Sequence, residues 1–170
     1  MKSVQRDKPA ANIGFCASLK DEALNMTAIA DDNIFGFYAS FQSGESDQEL
    51  VKQYLWGEEG FKEQLKALKW QSYGQDFQLI LFEIYVNPIP YLRDALKEMG
   101  SYRRKEKSIG IPIILDQDNF FALNDNGRQK FFQSTIIKRL KLLKDKVKRN
   151  KLDLDIHKLI KDTEETLQIK

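Results

Sequence analysis

The sequence predicts an α+β fold. One domain is expected, built on a mostly antiparallel sheet with helices packed against it and a long C-terminal helix followed by a shorter one. Three observations predict it. "IFGFYASF" (Ile34–Phe41) alternates large apolar residues with small or polar ones, the period of a strand. "DFQLILFEIYV" (Asp76–Val86) is apolar on both faces, the mark of a central strand. Residues 125–167 carry helical periodicity with a break near "NKLDLD". At 170 residues the chain fits a single domain, 1–170, large enough to bury about two-thirds of its unfolded surface.

The elements follow in order. Residues 1–12 are polar, carry Pro9 and are expected to be loose or disordered. "MTAIA" (Met26–Ala30) is a weaker strand, joined by the turn Asp31–Asn33 to Ile34–Phe41. A helix starts near Ser46, where Glu49 completes a capping-box pattern. Gly57 and Gly60 break it near Trp56–Gly60, and a second piece runs from Phe61 to Leu68. "NPIP" ends the strand Asp76–Val86, because proline cannot donate to a ladder. Residues 89–99 read as a short helix closed by Gly100. Ile109–Leu115 is a strand whose Pro112 puts it at an edge or beside a bulge. "DQDN" (Asp116–Asn119) is a turn. Asp125–Arg149 is a long helix with the stripe Ile136, Leu140, Leu143 and Val147. Asp155 caps a last helix through Leu167, with Ile156, Leu159, Ile160 and Thr163 facing inward.

Composition narrows the class. The chain is 42% hydrophobic and 31% charged, as in ordinary globular domains. It has no run of 18 apolar residues, so no membrane span is expected. "MKSVQRDKPAANIGF" lacks the apolar core of a secretory signal. Cys16 is the single cysteine, which excludes an intramolecular disulfide and points to a reducing cytoplasm. Net charge is +2 but polarised. Residues 1–85 hold 8 Lys/Arg against 13 Asp/Glu, and residues 86–170 hold 19 against 12.

Catalytic signatures are missing. One histidine, His157, cannot build a His-based metal site and has no triad partner beside it. Cys16 follows Phe15 in an apolar segment and reads as an inert buried thiol. There is no phosphate-binding glycine loop. No cofactor and no metal are expected. Glu83 interrupts the most hydrophobic strand and needs either a cationic partner or a raised pKa. It is a candidate base or ligand, or simply one half of an ion pair. Asp116 and Asp118 have the spacing of calcium-loop ligands, but Phe121 and Gly127 stand where such a loop needs glycine and glutamate. That leaves a turn bearing two carboxylates.

The stretch "QYLWGEEGF" (Gln53–Phe61) is more pointed. Tyr54 and Trp56 stand beside Glu58 and Glu59 at a helix break, and aromatics rimmed by carboxylates suit capture of a basic protein partner. The bland alternative puts Trp56 in the core and the glutamates in solvent. "SYRRKEK" (Ser101–Lys107) and the lysines of 138–151 raise a nucleic-acid reading. Against it, Glu106 interrupts the first cluster and the cations surround the apolar stripe of the long helix on every exposed side. Arg103, Arg104, Lys105 and Lys107 then read as a solvated lead-in that guards the edge strand.

"YGQDFQLILFEIYVNP", "SYRRKEKSIGIPIIL" and "LKLLKDKVKRNKLDLDIHKLIKD" occur in this order over about residues 70–165. Above all through "RKEKSIGIPII" and "KLDLDIHKLI", this region resembles immunity proteins of bacterial polymorphic-toxin systems. The resemblance implies a small cytoplasmic α+β protein without enzymatic activity. Such a protein binds a cognate toxin domain, often a nuclease, and blocks its functional surface. The acidic front half, with Glu45, Asp47, Glu49, Glu58 and Glu59 around Tyr54 and Trp56, suits that role, and the candidate partner-binding residues are Tyr54, Trp56, Glu58, Glu59, Asp116 and Asp118. The overall charge of +2 departs from the strongly acidic inhibitor that a nuclease calls for. The competing readings are a nucleic-acid-binding module using helix 125–149 and an enzyme using Glu83 or the Asp116/Asp118 turn.

Overall fold

The computed structural model describes residues 32–42, 45–96 and 98–168. The expectations for residues 1–12, Cys16 and Met26–Ala30 lie outside the described residues. Among those described, three strands and five helices alternate: β1 (Phe35–Phe41), α1 (Glu45–Trp56), α2 (Phe61–Leu65), β2 (Leu79–Val86), α3 (Pro90–Ala95), β3 (Ser108–Leu115), α4 (Asp125–Arg149) and α5 (Ile156–Leu167). A single 3₁₀ turn, Trp70–Ser72, precedes β2, and a π-helical turn, Gln117–Phe121, separates β3 from α4.

The sheet order is β1-β2-β3, and both pairings are parallel. This corrects the expected antiparallel sheet; the chain is α+β with a parallel sheet. The physical reason lies in the connections. Segments 42–78 and 87–107 each exceed the roughly dozen residues that a parallel crossover needs, and each carries helix. A two-residue hairpin connects antiparallel neighbours, and none joins two strands among the described residues.

The central position of β2 matches its apolar composition. Ile80, Phe82, Ile84 and Val86 align with Phe35, Phe37, Ala39 and Phe41 on one side and Ile109, Ile111, Ile113 and Leu115 on the other. All but Phe41 are buried, and Phe41 packs against them. Phe61, Phe132, Ile136, Leu140, Leu143 and Leu159 join the same core cluster, so α2, α4 and α5 share the core with this sheet face. Burying a Phe or Leu of this kind is worth about 1.5–3 kcal/mol. The opposite face carries Tyr38, Leu79, Leu81 and Tyr85, which are also buried.

Helix ends follow local chemistry. α1 has Glu45 and Asp47 in its first turn, where carboxylates complement the helix dipole. Its inner residues are Val51, Tyr54 and Leu55, while the expected Leu50 is only half-buried. α2 stops at Leu65, short of the expected Leu68. α3 ends at Ala95, and Gly100 instead donates its N–H to the Gly110 carbonyl at 3.0 Å. Asn124 caps α4 by accepting from the Gly127 N–H at 2.8 Å. Asp155 caps α5 by accepting from the Lys158 N–H at 3.1 Å.

β3 is an edge strand, one of the two placements that Pro112 allows. Ser108 and Gly110 bond away from β2, to Arg103 and Gly100. Pro112 shares their parity, so the missing N–H falls on the outer side of the strand. The cationic stretch forms the turn before it. Arg103 and Ser108 exchange bonds of 2.8 and 3.2 Å, and Lys107 takes the left-handed conformation at φ 53°.

A candidate partner-binding face

Tyr54 sits on the inner side of α1 and is 7% exposed. Its hydroxyl donates to the Asp125 carboxylate at the start of α4. Its ring stands edge-on to Phe120 of the π-helical turn, with centroids 5.6 Å apart. Burial, then the Asp125 carboxylate, pushes the phenol pKa up. Arg128 completes the group. Its guanidinium lies over the Phe120 ring at 5.9 Å and donates to the Phe121 carbonyl at 3.2 Å. Tyr54 thus fastens α1 to the π-helical turn and the start of α4, and its polar atom is committed inside the chain.

Trp56 is half-buried and packs against the core. Its indole N–H is buried without a partner among the described residues. Glu58 and Glu59 lie in the turn that follows and are exposed. That turn is set by the glycines. The Gly57 N–H ends α1 on the Gln53 carbonyl at 3.0 Å, and a Cβ at position 57 would lie 2.6 Å from that oxygen.

The two aspartates separate. Asp116 is 7% exposed and faces inward. One of its carboxylate oxygens accepts from the Asn119 N–H at 2.8 Å, capping the π-helical turn, and the other pairs with Arg93 of α3. Asp118 is exposed on the same turn. The fold therefore brings the turn holding Asp118 against Tyr54, while Asp116 is occupied internally. Of the six residues singled out in the sequence, Glu58, Glu59 and Asp118 present carboxylates to solvent.

Glu83 occupies the second sheet face, beside Gly110. A Cβ at position 110 would come within 2.5 Å of Glu83 Oε2, so the missing side chain makes room for the carboxylate. The Tyr85 hydroxyl lies 3.5 Å from Oε1. Burial pushes the Glu83 pKa up, opposed by the charge of Arg103 and by Tyr85. His157 is exposed on α5. Among the described residues no group of three His, Cys, Asp or Glu side chains is placed to hold a metal ion. Among them, too, no helix is long and apolar enough to cross a membrane.

On α4, Ile136, Leu140, Leu143 and Val147 are buried as the stripe predicts, and Lys138, Lys141, Lys148 and Arg149 are exposed. Sequence reasoning passed over Ile89 and Tyr91, which are 42% and 76% exposed. The signal available was "NPIPY": two prolines holding two large apolar residues at a strand exit.

The described residues form a small α+β domain on a parallel sheet, with Glu58, Glu59 and Asp118 exposed and Tyr54 buried against Asp125 and Phe120. The sequence profile of the family described as Immunity protein 44 matches residues 33–169. The match covers most of the chain, and the chain belongs to that immunity protein family. No curated protein and no solved structure matches it.

Proposed function

We propose that this chain binds a cognate bacterial toxin domain and neutralises it by covering the toxin's functional surface. The observation that carries this reading is the family match over residues 33–169. The mechanism is occlusion and requires no catalytic group in the chain. It operates in the cytoplasm of the producing cell, where a lone cysteine stays reduced. The binding face includes Glu58, Glu59 and Asp118, with the Trp56 edge beside them. Tyr54 and Asp116 support that face from beneath, through Asp125 and Arg93. A nuclease domain with a basic substrate cleft is the toxin class that such carboxylates fit.

The test is co-expression. Candidate toxin domains from the same genome are expressed with and without this chain. The reading predicts that one of them arrests growth alone and is tolerated beside the chain. Reversing Glu58 and Glu59 to lysine weakens that complex about tenfold, chiefly in its association rate and salt dependence. Unrelieved arrest by every candidate, with the chain present and folded, would overturn the reading.

A further inference from the structure

We infer that the corner Pro88–Tyr91 is the apolar anchor with which this chain grips a cationic protein surface. The inference rests on the immunity reading and names the part of the surface that makes the contact.

α3 buries none of its residues. A six-residue helix without core contacts has no stability of its own. It is nevertheless fixed on both sides. Pro88 and Pro90 restrict the backbone before it. Asn87 takes the left-handed conformation at φ 51° and donates its N–H to the Leu115 carbonyl at 2.7 Å. Its side-chain amide donates to Asp47 of α1 at 3.1 Å. Arg93 pairs with the buried Asp116. The fold therefore ties down an element that adds nothing to the core, and what the element presents is Ile89 and Tyr91.

Three large hydrophobics are strongly exposed among the described residues: Ile89, Tyr91 and Leu142. Leu142 stands alone on α4 beside Lys138 and Lys141, and a lone exposed leucine is ordinary. Ile89 and Tyr91 lie two residues apart on a corner tethered by Asn87 and Arg93. They sit where β2 leaves the sheet, at the carboxyl end of parallel strands, the end at which such sheets bind their ligands. Tyrosine on a fixed backbone loses little entropy on contact and is enriched among the residues that dominate interface energies.

The rim decides the partner. The Asn87–Asp47 bond brings in the first turns of α1, with Glu45, Asp47 and Glu49. The Arg93–Asp116 pair brings in the π-helical turn with Asp118. The charge of Arg93 is directed at Asp116. The corner thus carries two exposed apolar side chains near the carboxylates of Glu45, Asp47, Glu49 and Asp118, with Arg93 turned to Asp116 and Lys52 held over the Phe41 ring. It suits a protein surface with an apolar hollow ringed by Lys or Arg, and repels nucleic-acid phosphates. Through Phe120, the same turn touches Tyr54 and joins this corner to the Glu58/Glu59 end.

The probe is the toxin domain whose growth arrest this chain relieves, purified and titrated with wild type and with Tyr91→Ala, Ile89→Ala and Leu142→Ala. All three side chains are exposed, so melting temperatures stay within about 1 °C of wild type. The expected result is a Kd raised at least about thirtyfold by Tyr91→Ala, several-fold by Ile89→Ala and less than about twofold by Leu142→Ala. Affinity also falls as salt rises. Wild-type affinity in both corner variants, with the toxin still neutralised, overturns the inference and leaves the immunity reading standing. A chain that relieves no toxin removes both.

Discussion

Replacing Tyr54 with phenylalanine separates two roles that the sequence alone leaves merged. The variant removes one oxygen and keeps the ring, so the edge-on packing against Phe120 survives. What is lost is the hydroxyl's bond to the Asp125 carboxylate. Hydrogen bonds to charged groups contribute about 1.5–3 kcal/mol. Asp125 is exposed and can take water instead, so the loss falls to the low end or just below it, about 1–1.5 kcal/mol. For a domain of this size that is a fall in Tm of about 2–6 °C. Tyr54→Ala adds the cavity cost of an aromatic ring and falls by about 3–5 kcal/mol. The assay is thermal and urea unfolding of both variants, together with Asp125→Asn and the Tyr54→Phe/Asp125→Asn pair. The pair costs less than the sum of its parts, because both singles break the same bond. A Tyr54→Phe variant with unchanged Tm but weakened partner binding refutes the account, since it would put the hydroxyl on the partner and not on Asp125.

Three further outcomes follow from the same geometry. Gly110→Ala places a Cβ 2.5 Å from Glu83 Oε2 and costs about 1–2 kcal/mol, an overpacking cost that shrinks in a Glu83→Ala background; equal costs in both backgrounds count against the contact. Glu83 has a raised folded-state pKa, so its favourable contribution is complete below the ordinary carboxylate range and is lost as pH rises through the raised value. Glu83→Gln therefore melts above wild type at pH 7, and the gap closes toward pH 4–5; calorimetry across that range reads it, and a constant gap is the contrary result. Asp116→Asn keeps a capping oxygen but loses the charge facing Arg93, costing about 1–3 kcal/mol and speeding amide exchange in residues 91–95; exchange unchanged there means that α3 is held by something else.

Much of the fold is written locally. α4 runs from Asp125 to Arg149 and α5 starts behind Asp155, because caps and periodicity are short-range signals. β2 is central because both its faces are apolar, and β3 is an edge because Pro112 has no N–H to give. Strand direction is the exception, antiparallel in expectation and parallel in the fold. The clue was present, since helical segments separate all three strands and β2 lacks a polar face, the signature of parallel sheets. The site divides in the same way. Glu58 and Glu59 are exposed because two glycines force a turn around them, which the sequence displays. Tyr54 and Asp116 are held by Asp125 and Arg93, partners far along or across the chain, and no local pattern announces them. Ile89 and Tyr91 escaped for a different reason: the prolines beside them end one element and also stiffen the next.

The most direct measurement is a titration of the purified toxin domain's activity with the purified chain. The account predicts inhibition that is complete at saturation and reaches its end point at a fixed stoichiometry of folded chain to toxin. Full toxin activity in the presence of a large excess of folded chain, for every toxin domain that its genome supplies, contradicts it.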